Sequence, residues 1–332
     1  SCILIAGGML LALVLKIPAV SVVKSHHVLV SAGAFYGICM GFFWPAVMAF
    51  ISAGYEGQIL SRRLGTYNVL VSLGLIVGPF LGGFLVERNS LLPIIASAGF
   101  FLFCFLCLLR PGEKSGRIEQ VQEKAALHET QETSSYNLTY LRIMAGIFLV
   151  STFICGGLRV QMGLLLKFEL GFSESLFGTI FVVGCAANLL MYYVLGKTRF
   201  WQGRLFLFVF GQILMLASTV LILRCRWLPW FFAASVGYGI AGAMAYSLHQ
   251  FYSASVKGWR LGALAFHEMI QAGGTIIGSM LSGVLSDAYG RYISYWFSLG
   301  GIGSSIVLKL LVWIGVKKYF PARYDEGLSQ NI

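Results

Sequence analysis

The chain has 332 residues, of which 58% are hydrophobic and 11% are charged, and its mean hydropathy is +0.79. This composition lies outside the range of soluble globular domains and predicts an integral membrane protein. The net charge of +11 does not indicate nucleic-acid binding, because the basic residues occupy short segments between apolar runs and form no basic face.

Ten apolar runs have about the 20-residue length that crosses a bilayer. They are residues 1–15, 29–52, 65–86, 91–109, 141–165, 174–196, 204–223, 228–250, 263–285 and 292–315. The first run starts at Ser1 without a charged flank or a following cleavage site, so no signal peptide is predicted. We expect this run to continue a longer chain.

Lys and Arg residues in the short loops predict the orientation. With the first run leading outward, fifteen of these basic residues fall on the inner side and seven on the outer side. This excess predicts a multi-pass protein of the plasma (inner) membrane with a cytoplasmic C-terminus. Residues 110–140 are rich in Glu, Gln and Lys and are predicted to form a cytoplasmic linker.

The third run carries glycines at a four-residue spacing. Gly74, Gly78 and Gly82 follow this spacing, Gly83 is next to Gly82, and Pro79 comes directly after Gly78. In a soluble helix each interior Gly costs about 1 kcal/mol relative to Ala, and an interior Pro about 3. In lipid, by contrast, small residues let two helix backbones approach closely. We therefore expect a membrane-embedded helix contact along this face, which we call the first glycine ridge.

An internal repeat relates the two sides of the linker. The triplets at residues 36–38 and 63–65 recur in order at 238–240 and 260–262. At an offset of 200 residues the first glycine ridge recurs as a second glycine ridge, formed by Gly274, Gly278 and Gly283. These matches predict a six-helix unit repeated in parallel. Because four runs precede the linker and six follow it, two helices of the first unit are expected to be missing from this sequence.

The pattern Gly74-x-x-x-Gly78-Pro79-x-x-Gly82-Gly83 resembles the GxxxGPxxGG signature on helix five of the major facilitator superfamily, especially its proton-antiporter branch. The resemblance implies an all-α membrane protein with a two-bundle fold, whose ten predicted transmembrane helices match helices 3–12 of twelve. Residues 1–109 then match helices 3–6 of the N-terminal bundle, and residues 141–316 the C-terminal six-helix bundle. Residues 110–140 are the linker between them, and residues 317–332 a cytoplasmic tail.

By the same resemblance we expect a monomeric secondary transporter that works by alternating access about a site near the membrane midplane. Proton-coupled efflux or antiport of a small organic molecule is the implied activity, with the two glycine ridges as conformational motifs. A sugar- or anion-type importer, a uniporter and a non-transporting receptor or scaffold of the same fold remain alternatives. No hydrolase or nucleotide-binding motif is present, so no enzymatic activity, cofactor or metal site is predicted.

Glu268 is the most informative polar residue, because a charged carboxylate at a helix centre costs about 2.5–3.5 kcal/mol in a membrane. It therefore requires a partner, water or a proton. Gln271 and Thr275 follow it at helical spacing on one face, which predicts a polar stripe along a cavity. Glu268 is the candidate proton-coupling residue and the adjacent His267 a second one. The alternatives are a Glu268 side chain that reaches the cytoplasmic interface beside Arg260, and a structural interfacial His267.

Further cavity candidates have polar groups inside apolar runs. They are Arg159, Gln161, Tyr36, Trp44, Asn68, Tyr238 and Tyr246. Arg159 is expected either to hold an anionic substrate or to pair with Glu169 near the outer mouth. Asn68 occupies the position that corresponds to Glu268 in the repeat. The aromatic side chains have polar tips suited to ligands, although any single one has a lipid-facing or structural role as its alternative.

Overall fold

A computed structural model describes residues 41, 43–89, 92–109, 135–158, 161–256 and 258–319 of the chain. These residues are mostly helical, and no β-strand occurs among them. They fall into two compact units, one within residues 1–54 and 74–129 and the other within residues 55–73 and 130–332. The predicted all-α class is confirmed for this part of the chain. The predicted first run and most of the second run and of the linker lie outside the described residues.

The helices are named here in chain order. They are α1 (Phe43–Ser52), α2 (Gly57–Arg88), α3 (Leu92–Leu109), α4 (Ser135–Leu158), α5 (Gln161–Phe168), α6 (Glu174–Lys197), α7 (Phe206–Arg224), α8 (Leu228–Ala254), α9 (Arg260–Tyr289) and α10 (Ile293–Tyr319).

Six stretches of the described chain are long and apolar enough to cross a bilayer. They are Leu138–Phe168, Leu176–Lys197, Phe206–Arg224, Leu228–Ala254, Arg260–Tyr289 and Ile293–Gly315. Their positions agree with the six runs predicted after the linker. On α9 the apolar side chains of Ile276, Met280 and Val284 are more than half exposed, as expected for a face that contacts lipid.

Several helices extend beyond the apolar runs, because hydropathy reports the segment in hydrocarbon and not where backbone hydrogen bonding stops. α4 begins at Ser135, inside the predicted linker. α2 begins at Gly57, so Arg62 and Arg63 lie within a helix and not in the predicted inner loop. The guanidinium of Arg63 stacks over the ring of Tyr55 at 4.0 Å, a cation–π contact that favours this extension.

α8 occupies the centre of the larger unit. It packs against α4, α6, α7 and α9. A Cβ atom added to Gly239 would lie 2.2 Å from the carbonyl oxygen of Gly184, so the backbones of α8 and α6 are in direct contact. Because neighbours surround α8 on several sides, its polar side chains are held inside the protein.

The second glycine ridge packs closely against α4. A Cβ atom on Gly278 would lie 2.1 Å from the carbonyl oxygen of Ile154, and one on Gly274 would lie 3.0 Å from the Cβ of Phe153. Gly283, at the end of the ridge, has no described atom within 4 Å of such a Cβ position.

At the first glycine ridge α2 stays helical through Pro79. No described atom lies within 4 Å of a Cβ position built on Gly74, Gly78 or Gly82. The close contact expected along this face therefore stays a prediction.

Candidate functional site

Glu268 lies inside the protein, about two turns after α9 begins at Arg260. Its side chain is 16% exposed. The hydroxyl of Tyr246, on α8, donates a hydrogen bond of 2.8 Å to the Glu268 Oε1 atom. The partner that a membrane carboxylate requires is thus a neutral tyrosine, and two residues predicted separately from the sequence are brought together.

Further aromatic rings surround this carboxylate. The Tyr246 ring lies 4.5 Å from the imidazole of His267 and 6.1 Å from the ring of Tyr192, measured between centroids. Tyr192 on α6 and Tyr67 on α2 lie close enough to interact electrostatically with Glu268. Three tyrosines from three helices therefore face the Glu268 region, and neither Tyr67 nor Tyr192 was among the sequence candidates.

His267 and His249 of α8 form a pair whose rings meet edge to edge. The two ring centroids are 5.0 Å apart with an interplanar angle of 19°. The two Nδ1 atoms lie 2.8 Å apart, and both residues are buried. On the other side of the ring, the His267 Nε2 atom lies 3.8 Å from the Glu268 Oε1 atom.

His267 was a candidate from the sequence, but His249 was not. A histidine near the end of the apolar run at residues 228–250 was the available signal. Hydropathy could not show that this side chain faces α9. We call Glu268, Tyr246, His267 and His249 the carboxylate–histidine cluster.

A polar seam joins the first half of α2 to α6 and α8. Four side chains of α2 donate hydrogen bonds across it: Gln58 to the Gly196 carbonyl (3.3 Å), Ser61 to the Leu195 carbonyl (3.1 Å), Asn68 to Gln250 Oε1 (2.8 Å) and Ser72 to Asn188 Oδ1 (3.0 Å). A Cβ atom on Gly65 would lie 2.5 Å from the Cα of Gly196. The seam therefore brings two helix backbones into contact, and it places the candidate Asn68 against α8.

Three further candidates lie elsewhere in the same unit. The Tyr238 hydroxyl lies 2.6 Å from the Thr219 Oγ1 atom within the apolar core, away from Glu268. Gln161 donates through Nε2 to the Ser282 carbonyl at 3.4 Å and so ties α5 to the far part of α9. Gln271 is half-buried on α9, and its Oε1 atom has no hydrogen-bond partner among the described residues.

The remaining candidates are not assembled with these. Thr275 is exposed, and its hydroxyl donates to a carbonyl of its own helix at 2.9 Å. Trp44 lies on α1 in the other unit, where its ring meets the Phe43 ring edge-on at 5.3 Å. Arg159 and Tyr36 lie outside the described residues. Glu169, the alternative partner of Arg159, forms an ion pair of 2.9 Å with Arg291.

Lys309 on α10 is a buried basic residue that was not among the sequence candidates. Its side chain is 2% exposed, and Nζ donates to the Phe208 carbonyl at 2.8 Å. The ammonium also lies 5.0 Å from the centre of the Phe148 ring. A lone Lys inside the apolar run at residues 292–315 was a visible signal. Its contacts tie α10 to α7 and α4.

The carboxylate–histidine cluster has the groups needed to take up and release a proton inside a membrane. A carboxylate there is costly when charged and much less so when protonated, and imidazole nitrogens beside it can accept or donate protons. Within the part of the chain that the structure describes, no group of three or more His, Cys, Asp or Glu side chains is arranged to hold a metal ion.

Comparison with known proteins identifies the family. The model of the Major Facilitator Superfamily matches residues 1–258. Multidrug resistance protein 1 of Bacillus subtilis (strain 168) is 23% identical over 265 residues, which cover 78% of this chain and 67% of that protein. A putative sugar efflux transporter of Deinococcus radiodurans is 24% identical over 299 residues, which cover 85% of this chain and 72% of that protein.

A solved structure has the same fold. The human organic anion transporter MFSD10 (TETRAN) superposes with a TM-score of 0.69 at 17% identity, over 93% of this chain and 76% of that one. The family match over most of the chain, the long apolar helices and the shared fold agree with one another. The chain therefore belongs to the major facilitator superfamily and is a multi-pass integral membrane transporter of small molecules.

Proposed function

We propose that this protein is a secondary active transporter that exports small organic molecules in exchange for protons, with Glu268 as the protonation site. The observation that carries the proposal is the hydrogen bond of 2.8 Å between the Tyr246 hydroxyl and this carboxylate inside a membrane-spanning helix. The names of two relatives, a multidrug resistance protein and a putative sugar efflux transporter, support export as the direction.

The energetics of Glu268 are suited to coupling. Moving a charged carboxylate to the middle of a membrane helix costs about 2.5–3.5 kcal/mol, and protonation removes most of that cost. Coupling free energies between two sites are typically about 1–3 kcal/mol. The free-energy change on protonation of Glu268 is therefore large enough to change which conformation is favoured, when the two conformations expose this carboxylate differently.

The polar seam is the second part of the proposed mechanism. Near the start of α2, the seam is flanked by Arg62 and Arg63, which the excess of basic residues in the inner loops predicts to be cytoplasmic. We assign the seam to closure of the cytoplasmic end, with Gly65 and Gly196 allowing the backbones to meet. In the opposite state these hydrogen bonds open and water reaches Glu268. The first glycine ridge, further along α2, is the expected hinge contact.

Substrate is proposed to bind beside Glu268 and Tyr246, with Gln271 continuing the polar face of α9, and Thr275 stays a candidate from the sequence alone. Asn68 contributes from α2. Tyr238 is left out of the proposed site, because its hydroxyl is engaged with Thr219 in the apolar core. Arg159, Gln161, Tyr36 and Trp44 stay candidates from the sequence alone.

The predicted setting is a monomer in the plasma (inner) membrane with a cytoplasmic C-terminus. The excess of basic residues in the inner loops supports this orientation. Fusion of green fluorescent protein or alkaline phosphatase to the C-terminus tests it, since the first is fluorescent only when cytoplasmic and the second active only outside. The oligomeric state is measured by light scattering in detergent.

The proposed coupling is tested in proteoliposomes with two probes, the organic cation ethidium and radiolabelled lactose. Transport is measured with a pH gradient, and separately as exchange of labelled for unlabelled probe without a gradient. We expect Glu268→Gln to lose gradient-driven transport and to keep exchange, because the amide cannot carry the proton. The matched control is Glu169→Gln, which removes a partly exposed carboxylate paired with Arg291.

Each rival predicts a different result. Full gradient-driven transport in Glu268→Gln would eliminate this residue as the coupling site. Transport of either probe that ignores the pH gradient in the unmodified protein indicates a uniporter, and uptake in the direction of proton flow indicates an importer. A scaffold would transport neither probe and would show no stabilisation by any member of a metabolite panel.

A further inference from the structure

We infer that His267 and His249 form a proton relay between Glu268 and the cytoplasmic end of α8. The inference rests on the proposed proton coupling at Glu268 and adds a pathway to it. Glu268 faces the interior, and protons need a route between it and water when the seam is closed. The carboxylate–histidine cluster contains a continuous series of polar atoms that leads away from Glu268.

The first two steps of the route are set by geometry. The Glu268 Oε1 atom lies 3.8 Å from the His267 Nε2 atom, a separation that a small side-chain movement reduces to hydrogen-bond length. On the opposite side of the same ring, the His267 Nδ1 atom lies 2.8 Å from the His249 Nδ1 atom. One imidazole therefore bridges the carboxylate and a second imidazole through its two different nitrogens.

The contact between the two Nδ1 atoms requires a single shared proton when both rings are neutral. A neutral imidazole has one N–H donor and one acceptor nitrogen, so one ring donates through Nδ1 and the other accepts. If His267 donates to His249, its Nε2 atom is an acceptor that faces Glu268. If His249 donates, His267 Nε2 carries the hydrogen and points it at the carboxylate. The tautomers of the pair are thus linked to the protonation state of Glu268.

Proton transfer along this series balances at every step. Protonated Glu268 gives its proton to His267 Nε2 and becomes a carboxylate. His267 passes the proton on its Nδ1 atom to His249 Nδ1, and His249 then releases the proton on its Nε2 atom to water. The net result is one proton moved from Glu268 to the far side of His249, with both rings in the other tautomer. Transfer in the opposite direction loads Glu268 and restores the first tautomers.

Other groups lie close to His249. The Ser253 Oγ atom lies 3.4 Å from His249 Nδ1, one turn closer to the end of α8 at Ala254. Arg142 of α4 lies within electrostatic range of His249. Gly146, also on α4, lies next to the His249 ring, because a Cβ atom there would lie 3.4 Å from Nε2.

Among the residues that the structure describes, the charged and titratable groups that face the relay come from four helices. They are Tyr67 on α2, Arg142 on α4, Tyr192 on α6 and Tyr246 on α8. The tyrosines lie on the Glu268 side and the arginine on the His249 side. This asymmetry distinguishes the two ends of the relay.

The experiment compares two transport modes of the full-length protein in proteoliposomes, with ethidium or labelled lactose as the probe. Exchange of probe for probe needs no net proton movement, whereas gradient-driven transport requires a proton to pass on every cycle. His249→Gln keeps hydrogen-bonding groups but cannot transfer a proton, and His249→Phe keeps a planar ring without a nitrogen atom. We expect both variants to retain exchange, while their gradient-driven rate falls about 100-fold. A decrease of this size is typical of the removal of a proton-transfer group.

Two controls separate a relay from a structural role. Ser255→Ala truncates a side chain that bonds the Phe251 carbonyl of its own helix at 2.8 Å, and it is expected to keep both transport modes. His249→Ala leaves space for imidazole, and added imidazole is expected to restore part of the gradient-driven rate. A structural role would not respond to imidazole.

Three outcomes overturn the relay. One is a wild-type gradient-driven rate in both His249→Gln and His249→Phe. Another is equal loss of exchange and of gradient-driven transport in every His249 variant, and the third is failure of imidazole to restore any rate in His249→Ala. The parallel measurement on Glu268→Gln keeps the two proposals apart, because full coupling in that variant removes the proposed function itself.

Discussion

The contact between Gly65 and Gly196 yields the sharpest test of the polar seam. We expect Gly65→Ala to disfavour the state in which the seam is closed. The added Cβ atom would lie 2.5 Å from the Cα of Gly196, 3.1 Å from its nitrogen and 3.2 Å from the Tyr192 carbonyl oxygen. All three are backbone atoms, so no side-chain rotation relieves the clash, and α2 has to move away from α6.

The size of the effect follows from these distances. Moving α2 about 1 Å further from α6 restores ordinary van der Waals contact, and overpacking of this kind typically costs about 1–3 kcal/mol. The same shift lengthens the hydrogen bonds of Ser61 (3.1 Å) and Gln58 (3.3 Å) beyond their normal range. Since about 1.4 kcal/mol is a tenfold change in an equilibrium constant, the ratio of closed to open protein is expected to fall by roughly tenfold or more.

Labelling of a cysteine within the seam measures this shift. Ser61 is 3% exposed and bonds the Leu195 carbonyl, so Ser61→Cys in a background without other cysteines reports opening through its rate of reaction with a maleimide. We expect Gly65→Ala to raise that rate about tenfold, in proportion to the open population. Gly178→Ala, on α6, is the matched control because no described atom lies within 4 Å of its Cβ position.

Equal labelling rates in the parent protein and in Gly65→Ala would refute this reasoning. Such a result would mean that the two backbones are not in contact in the dominant state. A similar increase in Gly178→Ala would also count against the argument, because it would show that helix loosening in general, and not the seam, controls access to position 61.

Two further predictions concern stability, measured as the thermal unfolding midpoint in detergent. Gly278→Ala is expected to lower the free energy of unfolding by about 1–3 kcal/mol, because its Cβ atom would lie 2.1 Å from a carbonyl oxygen of α4. Gly283→Ala is expected to leave it unchanged, because no described atom lies within 4 Å of its Cβ position. Lys309→Met is expected to change the free energy of unfolding by less than about 1 kcal/mol. Lys309→Glu is expected to lower it by about 3–5 kcal/mol, because a carboxylate would face the Phe208 carbonyl without a donor. Equal midpoints within either pair would contradict the corresponding contact.

Much of the helix layout was predictable from hydropathy alone. The runs at residues 174–196, 204–223 and 228–250 agree closely with α6, α7 and α8, because the length of an apolar segment in lipid is imposed by bilayer thickness. The helix ends were less predictable. Beyond the hydrocarbon, local contacts such as that of Arg63 with Tyr55 decide how far a helix continues.

The members of the candidate site were partly predictable and their assembly was not. Glu268, His267 and Tyr246 were named because polar groups are rare and costly inside apolar helices. His249 and Lys309 carried the same signal. Tyr238 carried an equally strong one, yet the structure packs it against Thr219 in the core. A helical pattern states which residues share a face, but not which helix lies opposite that face.

The amino-acid sequence by itself therefore determined that this is a helical membrane protein, roughly where its spans lie and which buried polar residues require explanation. These properties follow from the cost of placing each side chain and each backbone group in lipid, which is local to the segment. The tertiary structure alone decided that Tyr246 meets Glu268, that His267 meets His249, and that Asn68 reaches Gln250, 182 positions along the chain. These contacts depend on the packing of helices that are distant in sequence. The close approach of α2 and α6 requires a glycine on each helix, Gly65 and Gly196.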